Sequence, residues 1–169
     1  MPEEGPLVSC IMPTSNRRGF VPQAIRYFLR QTYPNRELIV ADDGSDAVAD
    51  LIPADPRIRY LRLEDKHTVG AKRNLACQEA SGEIIVHWDD DDWSADRRIA
   101  YQVSELLRDP ADICGLDRIL YHEPASGRSW QYVYPEGRTP WVTVLCYTKS
   151  FWARNRFPED RPYGADNGF

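Results

Sequence analysis

The chain has 169 residues, of which 42% are hydrophobic and 28% charged, and its formal net charge is −5 at pH 7. This length and composition predict one globular domain with its own core and argue against disorder and a disulfide-dependent mini-protein. Apolar runs such as Ile84–Val86 are far shorter than the roughly 20 residues of a membrane span, so no transmembrane segment is expected. Glu3 and Glu4 stand where a secretory signal would carry basic residues, and the acidic balance disfavours nucleic acid as a partner.

The first 110 residues alternate predicted strands and helices. Apolar runs predict four strands, at Leu7–Met12, Glu37–Ala41, Arg57–Leu63 and Glu83–Trp88. Helical spacing of apolar residues predicts helices over Val21–Leu29, over Val69–Ala80 and from about Ile99 to Leu107, the last with Ser94 as its N-cap. Such alternation predicts an α/β fold with a mostly parallel central sheet and helices on both faces.

Beyond Pro110 the pattern changes. Predicted strands follow one another without long helices, at Ala111–Tyr121, Ser129–Tyr134 and Trp141–Thr148, which predicts a small mixed or antiparallel section. No repeat or flexible linker separates the two parts, so we expect a single domain over residues 1–169. Residues 1–110 would form a front half of alternating strands and helices, and residues 111–169 an irregular back half. The last residues, 164–169, have the composition of the middle of an element, and we expect the second half to be incomplete there.

Polar clusters follow three of the predicted strands. They are Thr14–Asn16, Asp42–Asp43 and Asp89–Asp92. In open α/β sheets the ligand crevice lies outside the carboxyl ends of the strands, so these clusters predict a binding site at that edge. Each cluster taken alone has a simpler interpretation, since Thr, Ser, Asn and Asp are also common in helix caps and turns.

The run of four aspartates is the most distinctive cluster. Like charges about 5 Å apart repel by roughly 3 kcal/mol at an effective dielectric near 20, and a cation would relieve this repulsion. Carboxylates are the usual protein ligands of Mg²⁺ and Mn²⁺, often together with phosphate oxygens of a substrate. The alternative is a solvated acidic loop, which the flanking Trp88 and Trp93 disfavour.

A cationic cluster, Lys72–Asn74, lies in the predicted helix after the third strand. It is either a solvated helix face or part of the crevice. If the N-terminal turn of this helix points at the crevice, Arg73 would offer a guanidinium to a nucleotide diphosphate.

Taken together and in order, these motifs resemble family 2 glycosyltransferases of the GT-A fold. The matching segments span nearly the whole chain: VSCIMPTSNR (8–17), QTYPNRELIVADDGSD (31–46), GAKRNLACQEASGEIIVHWDDDD (70–92) and GADNGF (164–169). The resemblance implies a Rossmann-like sheet and an inverting, metal-dependent sugar transfer from a nucleotide-diphosphate donor of the UDP or GDP type. It implies a glycan, a lipid-linked molecule or a small molecule as acceptor, in bacterial cell-surface or secondary-metabolite glycosylation. The expected location is the cytoplasm, with association at the inner face of the membrane left open.

The resemblance also implies that residues 1–110 are the nucleotide-sugar-binding half and residues 111–169 the acceptor-side half, and it implies a donor site. Its nucleotide-sugar-binding residues would be Pro13, Thr14, Asn16, Asp42, Asp43, Arg73, Asp89 and Asp90. Asp43 would bind the base, and Arg73 would lie near the base or the phosphates. The D-x-D position falls on Asp89 and Asp91, with Asp91 the main ligand of Mg²⁺ or Mn²⁺ and Asp89 contacting metal, ribose or diphosphate. Asp90 would replace one of them if the register shifted by one residue.

The catalytic base implied by the resemblance is Asp166. It stands in GADNGF, where the family has a Glu-Asp pair and this chain has Ala165 in place of the glutamate. That departure leaves open a second interpretation, a module that binds nucleotide sugar and metal without transfer. A third, a sugar nucleotidyltransferase, is disfavoured because no Gly-rich loop with basic residues follows the first strand to hold a triphosphate.

Overall fold

The computed structural model describes residues 5–108, 111–133 and 144–161, and its largest element is a six-stranded sheet. The strands are β1 (Val8–Thr14), β2 (Arg36–Asp42), β3 (Ile58–Arg62), β4 (Ile84–His87), β5 (Ile113–Cys114) and β8 (Cys146–Thr148). They lie in the order β3-β2-β1-β4-β8-β5. The first four are mutually parallel, and only β8 runs against its neighbours. The predicted α/β fold with a mostly parallel sheet is confirmed.

Helices cover both faces of this sheet. They are α1 (Val21–Leu29), α2 (Val69–Glu79), α3 (Arg98–Arg108) and the short α4 (Lys149–Arg154). The apolar sides of α1 and α3 pack with Cys10, Val40 and Val86 on one face, whereas α2 and α4 pack with Ile11 and Ile85 on the other. Because successive strand residues point to opposite faces, the buried strands supply both cores and are apolar almost throughout.

The second half differs from its prediction in one strand. The expected strand Ala111–Tyr121 is two separate strands, since β5 joins the central sheet and β6 (Arg118–Glu123) pairs with β7 (Arg128–Val133) in an antiparallel hairpin. Residues 115–117 between them are not in a strand. β7 lies where a strand was predicted. In the predicted strand Trp141–Thr148, residues 141–143 lie outside the described ranges, and the described part contains the three-residue β8.

The predicted cap of α3 was wrong. The helix begins at Arg98, four residues after Ser94, and the Ser94 hydroxyl instead accepts a hydrogen bond from the Arg98 guanidinium at 3.0 Å. The backbone N–H of Ile99 donates to the side chain of Gln31, which arrives from the end of α1. A cap supplied by a distant residue leaves no local sequence pattern.

In the described part of the chain, the helices are too short and too polar for any of them to cross a membrane.

Candidate functional site

The carboxyl ends of β1, β2 and β4 lie side by side, because β1 stands between the other two in the sheet. The three polar clusters therefore meet at one edge, as the sequence predicted. The side chain of Thr14 donates a hydrogen bond to Asp90 at 2.6 Å, and its carbonyl oxygen accepts one from Lys72 at 3.0 Å. Lys72 in turn lies 3.0 Å from the carboxylate of Asp43. One chain of contacts thus connects the loop after β2 with the loop after β4.

Asp42 shapes the loop that follows β2. Its side chain is fully buried and accepts hydrogen bonds from the backbone N–H groups of Gly44 at 2.7 Å and Val48 at 3.0 Å, and from the Tyr60 hydroxyl at 2.9 Å. These bonds use both carboxylate oxygens. The geometry gives Asp42 a structural task, and its predicted contact with nucleotide stays a prediction.

Asp43, like Asp42, accepts several hydrogen bonds, but two of its donors are lysines. It accepts from the backbone N–H of His67 at 2.8 Å, from Lys72 at 3.0 Å and from Lys66 at 3.2 Å. Burial would raise the pKa of Asp43, but hydrogen bonds from His67, Ser15 and Lys72 outweigh it and hold the pKa well below its ordinary value. Asp43 is therefore a fixed anion at neutral pH.

The loops after β1 and β2 touch at Asn16 and Gly44. Asn16 has a positive φ of 54°, a conformation that Asn adopts more readily than most residues, and its side chain accepts from the backbone N–H of Asp46 at 2.9 Å. A Cβ on Gly44 would lie 2.5 Å from the backbone nitrogen of Asn16. Only glycine allows this close approach, so the pair fixes the relative position of Thr14 and Asp43.

The loop after β4, residues 89–92 and hereafter the aspartate loop, is anchored from below. Trp88 is buried, its backbone N–H donates to Ile11 at 3.0 Å, and its indole N–H donates to Ala24 at 3.1 Å. Arg98 packs over the Trp88 ring and donates to the carbonyl oxygen of His87 at 2.6 Å. These contacts hold the start of the aspartate loop rigidly at the sheet edge.

The four aspartates have different environments. Asp90 is buried against Thr14 and lies 3.1 Å from the Nε of Arg17, whose terminal nitrogen also contacts the exposed Asp91. Asp89 is half-buried and lies 3.3 Å from the guanidinium of Arg73. The solvated-loop interpretation is therefore wrong for Asp90. Asp89 and Asp91 are more accessible than Asp90, and their predicted role as the D-x-D pair stays a prediction.

Charge in the aspartate loop is balanced only in part. Burial raises the pKa of Asp90, and burial together with the charges of Asp89 and Asp91 raises the pKa of Asp92 to about 6. Among the described residues, no three His, Cys, Asp or Glu side chains form a complete metal-ligand set. Two carboxylates of uneven burial fit a cation such as Mg²⁺ or Mn²⁺ that takes its remaining ligands from a diphosphate and water.

The cluster Lys72–Asn74 is buried, so its interpretation as a solvated helix face was wrong. Lys72 and Arg73 point into the crevice, at Asp43 and Asp89. Asn74 faces the C-terminal segment, where it accepts from the indole of Trp152 at 2.9 Å and the backbone N–H of Phe157 at 3.1 Å. Its amide nitrogen also donates to Glu159 at 2.8 Å. Asn74 thus fixes the chain that leads toward residues 162–169.

Several residues that support the site were not singled out from the sequence. Arg17, Lys66 and Arg98 act through contacts with residues that are distant in the chain, and no local pattern marks them. Asp166, the predicted base, lies outside the described residues. Pro13 is half-buried in β1 and pairs with Ala41, and its predicted contact with the nucleotide sugar stays a prediction.

The tryptophans of the second half divide between two environments. Trp152 is buried in the core. Trp130 is exposed on the hairpin and stacks on Tyr121 with ring centroids 5.8 Å apart. The third, Trp141, lies outside the described ranges.

A mostly parallel sheet with polar loops at its carboxyl edge and charged side chains facing one crevice is the architecture of an open α/β protein, in which ligands bind at that edge. Residues 9–162 match the model of glycosyl transferase family 2, and the chain belongs to that family.

The relatives support this membership. The chain is 41% identical over 155 residues to the putative colanic acid biosynthesis glycosyl transferase WcaA of Escherichia coli K12. The aligned region covers 88% of this chain and 55% of that protein. It is 36% identical over 105 residues to the UDP-Glc:alpha-D-GlcNAc-diphosphoundecaprenol beta-1,3-glucosyltransferase WfgD of Escherichia coli. That aligned region covers 60% of this chain and 42% of that protein. The chain thus spans about half the length of the curated relatives it matches.

A solved structure supports the GT-A fold. The mannosyltransferase PcManGT from Pyrobaculum calidifontis, in complex with GDP-Man and Mn²⁺, matches with a TM-score of 0.70 at 20% identity, over 96% of this chain and 50% of that one. At this identity the likeness shows the fold alone.

Proposed function

We propose that this protein is an inverting, metal-dependent glycosyltransferase that moves a sugar from a nucleotide-diphosphate donor to an acceptor hydroxyl in bacterial cell-surface glycan assembly. The observation that carries the proposal is the contact chain from Asp43 through Lys72 and Thr14 to the aspartate loop. It brings a buried anion suited to a base and a set of carboxylates suited to a metal diphosphate to the same sheet edge.

At the base end, Asp43 is the proposed acceptor for an N–H group of the nucleobase. Lys66 is its most exposed partner, with 67% of the side chain in solvent, whereas Lys72 is 6% exposed. Lys66 can therefore leave Asp43 when a base arrives, while Lys72 keeps the carboxylate charged and in place. Asn16 and Thr14 complete the walls of the base pocket.

At the diphosphate end, Asp91 and Asp89 are the proposed ligands of Mg²⁺ or Mn²⁺. The cation would stabilise the negative charge that develops on the departing diphosphate. PcManGT, which shares the fold, was solved with Mn²⁺ and GDP-Man, which supports the proposed use of a divalent cation. Arg73, held beside Asp89, would pair with a phosphate oxygen as a charge-assisted donor.

Asp166 is the proposed base. It would take the proton from the acceptor hydroxyl as that oxygen attacks the anomeric carbon from the face opposite the nucleotide. One carbon–oxygen bond forms, the bond to the diphosphate breaks with its electron pair, and a single displacement inverts the configuration. Asn74 supports this arrangement from α2, because it fixes the segment that precedes Asp166.

The two other interpretations make different predictions. A binding module without transfer is favoured by Ala165, which removes one carboxylate from the acceptor side. A nucleotidyltransferase would need free cations near the first loop, yet Arg17 is engaged with the aspartate loop and Arg18 pairs with Asp50 at 2.5 Å. The structure therefore favours transfer or binding of a diphosphate donor over cleavage of a triphosphate.

Nucleotide release from UDP-sugars and GDP-sugars, measured with Mn²⁺ and a panel of glycan and prenyl-linked sugar acceptors, tests the proposal. We expect acceptor-dependent release that Asp91→Ala and Asp166→Asn abolish. Asp96→Ala is the matched control, because Asp96 lies four residues past the aspartate loop and pairs with Arg30 at the surface. Nucleotide binding without acceptor-dependent release from any donor would favour the binding module.

A further inference from the structure

A cavity of about 620 Å³ lies between α3 and the start of the hairpin, beside the aspartate loop and outside the donor crevice. Its lining includes Asp92 and Trp93 at the end of the aspartate loop, and Leu116, Ile119 and Leu120 at the start of the hairpin. The volume is within the range of ligand pockets in proteins. None of the residues predicted to bind the donor contributes to its walls.

The α3 wall of the cavity is a continuous stripe. Arg97, Tyr101 and Ser104 recur at intervals of four and three, which places them on one side of the helix and over a length of roughly 10 Å. This side is not the one that packs on the sheet, which carries Ile99, Val103 and Leu106. Tyr101 is 55% exposed, and Trp93 at the cavity's end is 59% exposed.

The chemistry of the walls is that of an amphiphilic anion site. Arg97, directly before the first residue of α3, and Arg118 of β6 supply guanidinium groups to the lining, and the helix dipole also favours negative charge near Arg97. Leu116, Ile119 and Leu120 supply apolar side chains to the same cavity. Arg118 has only a loose ion pair with Asp117, at 3.8 Å between largely exposed side chains. A phosphate attached to a hydrocarbon chain would pair with the guanidinium groups and pack against the apolar side chains.

We propose that this cavity binds the phosphate group and the first isoprene units of a polyprenyl-phosphate-linked sugar acceptor, which deepens and rests on the proposed transfer function. The negative charge of Asp92 disfavours an anion at the end of the cavity that Asp92 lines. The neutral sugar of the acceptor would therefore occupy that end. Its hydroxyl group then faces the donor. The name of the relative WfgD specifies a diphosphoundecaprenol-linked acceptor, which is of this chemical class.

Calorimetric titration of the whole chain with farnesyl diphosphate, in EDTA so that no metal diphosphate forms, tests the cavity separately from the donor site. Farnesol and inorganic diphosphate are titrated alongside, because each carries one half of the proposed chemistry. We expect saturable 1:1 binding of farnesyl diphosphate that exceeds the binding of either half. The double variant Arg97→Gln, Arg118→Gln should weaken it at least tenfold, since each arginine contributes a charge-assisted hydrogen bond.

Two further variants separate binding in the cavity from general charge effects. Ser104→Trp fills the cavity from an exposed position of α3 and should also abolish binding. Arg128→Gln removes an exposed arginine of the same hairpin outside the cavity, and its affinity should stay within twofold of wild type. Thermal unfolding of each variant checks that the fold is retained.

Absence of saturable binding overturns the proposal, as does equal binding by wild type, the double variant and Ser104→Trp. Displacement of farnesyl diphosphate by UDP or GDP would place it in the donor crevice and overturn the proposal as well. Failure of the donor site has a different readout, because nucleotide and Mn²⁺ would then not bind while farnesyl diphosphate still bound in an Arg97-dependent manner.

Discussion

The ion pair between Lys72 and Asp43 provides the sharpest test of how the site is built. Lys72→Met removes the charge from a side chain that is 6% exposed and leaves the fully buried carboxylate without its closest buried cation. Breaking a buried pair in this way typically costs 3–5 kcal/mol. Asp43 keeps its bonds to His67 and Lys66, so we expect the low end, about 3 kcal/mol, or a Tm lower by about 6–12 °C for a domain of this size.

Lys66→Met is the matched control. It removes the same charge at 3.2 Å from the same carboxylate, but its side chain is 67% exposed, so the expected loss is below about 1 kcal/mol. Urea unfolding of both variants at pH 7 gives the comparison. Equal losses for the two variants, or a loss below about 1 kcal/mol for Lys72→Met, would refute the claim that burial sets the strength of this pair.

The same pair predicts a pH dependence. The folded pKa of Asp43 is below its unfolded value, so its contribution to stability is complete above about pH 4 and is lost as pH falls through the lower folded pKa. Lys72→Met raises that folded pKa. The difference in unfolding free energy between wild type and Lys72→Met should therefore be constant from pH 5 to 7 and shrink below about pH 4. A difference that grows in acid would contradict the sign of this linkage.

Two further predictions concern the supports of the site. Gly44→Ala places a methyl group 2.5 Å from the backbone of Asn16 and should cost about 1–3 kcal/mol in urea unfolding, whereas Gly19→Ala, with no atom within 4 Å of its Cβ, should stay within about 1 kcal/mol of wild type. Asn74→Ala removes the bonds that tie the segment after α4 to α2 and should cost about 2–3 kcal/mol. Limited proteolysis should then cut that segment first, and a cleavage pattern like that of wild type would count against its anchoring role.

Most of the front half could be predicted because its buried strands are short apolar runs that end in polar residues. The position of β1 between β2 and β4 then brings Thr14, Asp43 and the aspartate loop together without any information from loops. The prediction was less complete where tertiary contacts decide. Lys72 and Asn74 resemble a solvated helix face in sequence, and only their partners Asp43 and Trp152 explain why they are buried.

The second half was harder to predict because its strands are short and exposed. β5 has two residues and β6 begins four residues later in another sheet, so one apolar segment contains two elements. The cavity beside α3 could not be predicted at all, since its lining residues, Arg97 and Arg118 among them, come from segments that are separate in the sequence. Local patterns fix elements, whereas cavities depend on how elements are placed.

The most direct test of the central claim is calorimetric titration of UDP and GDP with Mn²⁺ or Mg²⁺ into wild type, Asp91→Ala and Asp96→Ala. We predict metal-dependent binding of one nucleotide to wild type and to Asp96→Ala, weakened at least about tenfold in Asp91→Ala because the cation loses a carboxylate ligand. Asp43→Ala should weaken nucleotide binding also without metal. Binding of neither nucleotide, or equal binding by all variants, would contradict the assignment of this sheet edge as the donor site.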